Sequence, residues 1–185
     1  MVPVFQSRYD AACLGNCLEA ALSSILEVPL NAIPDRAALV DLDAWAETVN
    51  RARRPHARWW RRDAGDLRLP AGFEEGERAL EAWLLDRGLV WLERPVRRER
   101  DWLAHVGTLG LFWIAHTRRR GDAVAHATVW HGSRCVHNPT RGGALEGLGR
   151  VHTATLLVAS EPARICRRLG PELLPDVGAE LERVA

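Results

Sequence analysis

Gly15-Asn16-Cys17-Leu18-Glu19-Ala20-Ala21-Leu22 passes from turn-forming residues directly into a helix. Gly15 and Asn16 favour turn or cap geometry. Cys17, Leu18, Ala21, Leu22, Ile25 and Leu26 then recur at one-and-four spacing, the period of a helix with one buried face. The helix is expected to begin at or just before Cys17, to cover about 17–28, and to stop before Pro29. A thiol in that first turn lies over backbone N–H groups that have no partner within the helix. The positive end of the helix dipole adds to their effect, and both favour the thiolate. A nucleophile there still needs a base from elsewhere in the chain. The competing reading is an inert core thiol, because free cysteine is among the most buried residue types.

The base candidate is His126, in Ala125-His126-Ala127-Thr128-Val129-Trp130, which is followed after Gly132-Ser133 by Arg134-Cys135-Val136-His137-Asn138-Pro139. Along an extended strand His126, Thr128 and Trp130 share one face, while Ala125, Ala127 and Val129 share the other. With Gly132 as midpoint, His126 falls opposite Asn138, and a direct cross-strand pair brings two side chains within about 5 Å. A strict two-residue turn at 132–133 places His126 opposite Pro139 and turns Asn138 to the wrong face. The pairing therefore requires an odd-numbered loop or a bulge. His137 is a rival base, but on a regular strand it points away from the face of Asn138.

Gln6 upstream, "GNC" opening a helix, and "HATVWHGSRCVHNP" far downstream resemble a papain-like cysteine hydrolase in a short bacterial or phage version. The resemblance covers Gln6 to about Gly143, in the order Gln, Cys, His, Asn. It implies a helical lobe carrying the cysteine packed on a sheet carrying the histidine. It also implies an acyl-enzyme route at an amide or thioester: Cys17 attacks, His126 moves the proton, Asn138 orients the ring, and Gln6 with the Cys17 backbone N–H holds the oxyanion. Asn16, Trp113 and Trp130 are candidates to line the substrate groove. The expected partner is a peptide, amide or acyl-thioester substrate, which a carrier protein could present. Hydrolysis and acyl transfer both stay open. A non-catalytic module of the same fold, binding a peptide or carrier protein, is the alternative. Cys13, between Gln6 and Cys17, is a competing thiol.

Composition fits this picture without deciding it. The chain has 185 residues, and a hydrophobic fraction of 47% beside a charged fraction of 26% suits one soluble domain. The net charge of +1 gives no global bias toward nucleic acid or anionic membrane. All 25 basic residues are arginine, which excludes Schiff-base or P-loop lysine chemistry. No signal peptide and no run of about 20 apolar residues is apparent, so a cytoplasmic protein with reduced thiols is expected. Cys13 and Cys17 lack a compact second ligand pair for zinc, and neither a metal nor a cofactor is expected. "RARRPHARWWRR" at 51–62 mixes cations with aromatics, as single-strand binders do. A solvated helix end followed by a packed Trp pair accounts for it equally, and nucleic acid is the lesser expectation.

The remaining pattern is helices first and strands second, an α+β layout. Helices are expected at about 36–53, 74–87 and 97–106, with Leu39, Leu42, Trp45, Ala46 and Val49 as the stripe of the first of these. Val2, Val4 and Phe5 form a short strand or a packed arm. Strands are expected at 89–92, 109–117, 123–131, 134–138 and 151–159. One domain results: a mainly helical lobe over 1–108, an antiparallel sheet over 109–160 and a tail over 161–185.

Overall fold

The computed structural model of the chain describes residues 1–8, 15–52, 70–118 and 125–160. Cys13, Cys166, the Trp59-Trp60 pair and the tail lie outside them. The described residues form an α+β fold. Helices α1 (Cys17–Leu26), α2 (Leu42–Ala52), α3 (Phe73–Leu85) and α4 (Glu99–Leu109) accompany strands β1 (Leu89–Pro95), β2 (Phe112–Arg118), β3 (His126–His131), β4 (Arg134–His137) and β5 (Arg150–Ala159). The strands make one antiparallel sheet in the order β1-β5-β2-β3-β4. Its first strand comes from the stretch expected to be mainly helical, because β1 pairs along its whole length with β5.

The two faces of the sheet follow from strand alternation. Ile114, Ala127 and Val129 point to one face and pack with Leu18, Ala21 and Leu22 of α1 and Leu80 of α3. Trp113, Ala115, Val151 and Ala154 point to the other, against Val106 and Trp102 of α4. Burying a leucine such as Leu18 or Leu22 contributes about 1.5–3 kcal/mol.

Helix α1 departs from the one-faced expectation, since every residue from Leu18 to Ser24 is buried. Its polar members are paired instead of solvated. Glu19 accepts from Arg36 Nε at 2.8 Å, and Ser24 Oγ donates to the Ala20 carbonyl at 2.8 Å while accepting the Val4 N–H at 2.9 Å. The N-terminal residues therefore pack as an arm, not as a strand. The helix expected at 36–53 is also two elements: a 3₁₀ turn at Arg36–Leu39, then α2. Asp41 causes the break, because its carboxylate accepts the N–H groups of Asp43 and Ala44 and starts α2 afresh. As a result Leu39 and Leu42 are exposed, while Trp45 is buried and stacks on Phe73 with ring centroids 5.8 Å apart.

Arg36 joins these parts. Within the 3₁₀ turn it bridges Glu19 of α1 and Glu77 of α3. This close approach needs Gly76, where a Cβ would lie 2.5 Å from the Arg36 carbonyl oxygen. Gly76→Ala is expected to push α3 off the turn and destabilise the fold by about 1–3 kcal/mol, read as a lowered urea midpoint at unchanged m-value. An unchanged midpoint would show that the contact yields freely.

Candidate active site

Cys17 is the first residue of α1, after Asn16. Asn16 does not cap the helix with its side chain. Its Oδ1 accepts the N–H groups of Ser7 (3.1 Å) and Arg8 (3.2 Å), and its Nδ2 donates to Ser7 Oγ at 2.9 Å. The residue expected as a cap and groove wall thus ties the arm to the start of the helix, and it is 6% exposed.

On the sheet, the β3–β4 hairpin solves the parity problem in an unexpected way. The turn at Gly132-Ser133 is the short one, with His131 opposite Arg134 and Trp130 opposite Cys135. The next pair is Val129 with His137, so Val136 is an extra residue and forms a bulge. Asn138 then follows in register with Thr128 and shares the parity of His126. It is a diagonal neighbour, not the direct cross-strand partner expected.

The contact is nevertheless made: His126 Nε2 and Asn138 Oδ1 are 2.8 Å apart. The orientation of the amide is fixed by its other bonds. Oδ1 also accepts the Thr140 N–H at 3.0 Å, and Nδ2 donates to the Ala144 carbonyl at 2.9 Å. Because Oδ1 can only accept, a neutral His126 ring carries its proton on Nε2.

From α1, the sulfur meets the backbone of the residue after His126. The Ala127 N–H donates to Cys17 Sγ at 3.4 Å. Bond lengths then place Sγ within about 6 Å of the His126 Cα. Gln6 arrives from the arm, where its N–H donates to the Pro139 carbonyl at 3.0 Å and its Nε2 to Thr140 Oγ1 at 3.4 Å. It is 8% exposed. Thr140 Oγ1 in turn lies 3.4 Å from His126 Nε2. Elements distant in sequence thus join Gln6, His126 and Asn138 around Thr140, with the Cys17 sulfur on the backbone N–H of Ala127.

His137 is turned to another task. Its Nε2 lies 2.7 Å from the Val4 carbonyl oxygen and its ring packs edge-on against Phe5, so it clamps the arm that carries Gln6. Trp113 and Trp130 belong to the cluster on the α4 side of the sheet, whereas Cys17 packs with the cluster on the α1 side. Trp113 is 1% exposed and donates to the Gly132 carbonyl. Trp130 donates to Thr128 Oγ1. The structure does not bring these two indoles to Cys17.

Thr140 and Gly143 were missed in the sequence, and the signal for them was Asn138-Pro139 followed by Gly142-Gly143. The turn from Thr140 to Gly143, closed by a 2.8 Å bond from the Gly143 N–H to the Thr140 carbonyl, folds over the Asn138 amide.

Two further groups set the electrostatics. Burial, then the charges of Arg36 and His126, push the His116 pKa down to about 4, while its Nε2 meets Thr155 Oγ1 at 2.9 Å. Burial pushes the Cys135 thiol up, and Cys17 and Cys135 are both free thiols. His116 makes stability depend on pH. In the unfolded chain it takes up a proton as pH falls through its ordinary 6.5, and in the fold only near 4. Its contribution is therefore complete above pH 6.5 and is lost as pH falls from 6.5 to 4. The loss is on the order of 2–3 kcal/mol. His116→Gln is expected to flatten that part of the Tm–pH curve, and an unaltered slope would assign the acid sensitivity to other groups.

Among the described residues, no group of three or more His, Cys, Asp or Glu is placed to hold a metal ion, and no helix is long and apolar enough to cross a membrane. Comparison of the chain with protein-family models, with curated proteins and with solved structures returns no match.

Proposed function

We propose that the protein is a papain-like thiol enzyme that cleaves or transfers an acyl group at an amide or thioester. The observation that carries this reading is the junction of α1 and β3. Cys17 Sγ rests on the N–H of Ala127, and the preceding residue, His126, is held through Nε2 by Asn138. These contacts support a reading of Cys17 as nucleophile, His126 as base and Asn138 as orienter.

In the proposed cycle the Cys17 proton passes to His126 Nδ1 and the sulfur attacks the substrate carbonyl carbon. The tetrahedral oxyanion accepts hydrogen bonds from the backbone N–H of Cys17 and from Gln6 Nε2. Collapse breaks the bond to the leaving amine or thiol, which departs with the proton from His126. Water or an acceptor amine, deprotonated by the same ring, then attacks the Cys17 thioester and frees the thiol. A neutral His116 nearby adds no charge to compete with the imidazolium at His126. A peptide or a carrier-bound acyl group in the cytoplasm fits the chemistry.

The test is acylation by p-nitrophenyl acetate. A burst of p-nitrophenol and an acetyl group mapped to Cys17 are expected. Acetylation spread evenly over Cys13, Cys17, Cys135 and Cys166 would mean that no thiol is activated.

A further inference from the structure

A cleft of about 870 Å³ opens between the arm at Ser7 and Arg8, the first turn of α1 at Asn16 and Glu19, and the loop from Leu30 to Asp35. Glu19, on its wall, is 3% exposed. Its Oε1 accepts from Arg36 Nε at 2.8 Å and from the Arg36 N–H at 3.4 Å. Its Oε2 is buried and meets no hydrogen-bond partner among the described residues. Arg8 lines the same cleft, and its Nε is likewise buried without a partner. Two residues that line the cleft therefore carry one acceptor and one donor, both unmatched and both covered, which a ligand reaches as these side chains turn toward it; buried polar groups are nearly always matched.

The charges have a sign. Three carboxylates (Glu19, Glu77, Asp35) face two guanidinium groups (Arg8, Arg36) through the ion pairs Arg8–Asp35, Arg36–Glu19 and Arg36–Glu77, which leaves one negative charge in excess. Leu30, Ile33 and Pro34 supply an apolar stretch beside it. An acceptor with negative charge calls for a cation, and the apolar stretch calls for a hydrocarbon stem.

We propose that this cleft binds an organic cation, an ammonium or guanidinium group on a short aliphatic stem, with its head at Glu19 Oε2. A cationic side chain within a peptide also brings a carbonyl for Arg8 Nε, whereas a free diamine does not, so the peptide-borne cation is the better match. Asn16 walls the cleft and immediately precedes Cys17. The cleft therefore sets side-chain preference in the acyl substrate; that last step rests on the proposed reaction, and the binding does not.

The experiment is an NMR titration of the full chain carrying Cys17→Ser, with N-acetyl-arginine amide, the neutral aliphatic analogue N-acetyl-norleucine amide, and agmatine. The arginine amide is expected to bind about tenfold more tightly than the norleucine amide. Glu19→Gln keeps an oxygen for Arg36 Nε but replaces the free acceptor with a donor, and should remove the preference. Asn31→Arg places a cation on an exposed rim residue, so it tests the site even if the first variant folds poorly, and it should also remove the preference. Agmatine binding well below the arginine amide supports the peptide-borne cation; agmatine binding equally well moves the cation site to free amines. Equal binding of the two amides, or a preference untouched by both substitutions, overturns the proposal. Because the titrated protein lacks the thiol, failure of the acyl-transfer reading leaves these outcomes intact.

Discussion

Cys17→Ala and His126→Ala are each expected to lower the rate of p-nitrophenyl acetate acylation by more than about a thousandfold, with the Tm held within a few degrees. The two losses should not add in the double variant, because the proposed cycle uses sulfur and imidazole as one unit. Asn138→Ala should leave a reduced remainder. The ring loses its 2.8 Å partner but keeps Thr140 Oγ1 within 3.4 Å of the same nitrogen. Alkylation gives a second reading of the same chemistry. Iodoacetamide at neutral pH should label Cys17 well before Cys135, whose thiol is pushed up by burial and so becomes a thiolate only in more alkaline solution. Full acylation of the Cys17→Ala protein would move the nucleophile to another cysteine, and Cys13 would be the next to replace.

The parts of the site that were legible in the sequence are those set by local chemistry. Gly15-Asn16 before an apolar period marked the start of α1 at Cys17, and the alternation around His126 marked a strand. The partnership of His126 with Asn138 was harder to read, because it depends on parity across a hairpin. The obvious Gly132-Ser133 turn puts Asn138 on the wrong face, and the residue that corrects it, Val136, has nothing in its own chemistry to announce a bulge. The role expected of Asn16 as a cap gave way to a tertiary one, since the arm at Ser7 and Arg8 offers its amide better-placed partners than the helix does. The long helix at 36–53 failed for a reason that was visible: an aspartate at 41 just ahead of a new helical stretch is a start signal inside an otherwise helical pattern. The strand expected from 109 begins at Phe112 because Gly110, at φ 60°, ends α4 in a left-handed residue.

Gly143→Ala carries the other large expected effect, through a residue that touches neither the sulfur nor the imidazole in any bond described here. A Cβ at 143 would sit 2.5 Å from Asn138 Nδ2, 2.8 Å from its Cγ and 2.8 Å from the Thr140 carbonyl oxygen. Real Cβ contacts do not come so close, so the amide or the turn must shift. The amide cannot shift alone. Its Nδ2 is bonded to the Ala144 carbonyl, and its Oδ1 holds both the Thr140 N–H and His126 Nε2. A displacement of about 1 Å at a positioned group can cost on the order of a hundredfold in rate. Gly143→Ala should therefore reduce acylation by about a hundredfold while leaving the core untouched, since the turn lies outside the apolar clusters on both faces of the sheet. The loss should reside in Asn138: combined with Asn138→Ala, the glycine substitution should cost little more than Asn138→Ala alone. Additive losses in that double variant would break the link between the turn and the imidazole. They would point instead to Thr140, whose hydroxyl lies between Gln6 and the ring.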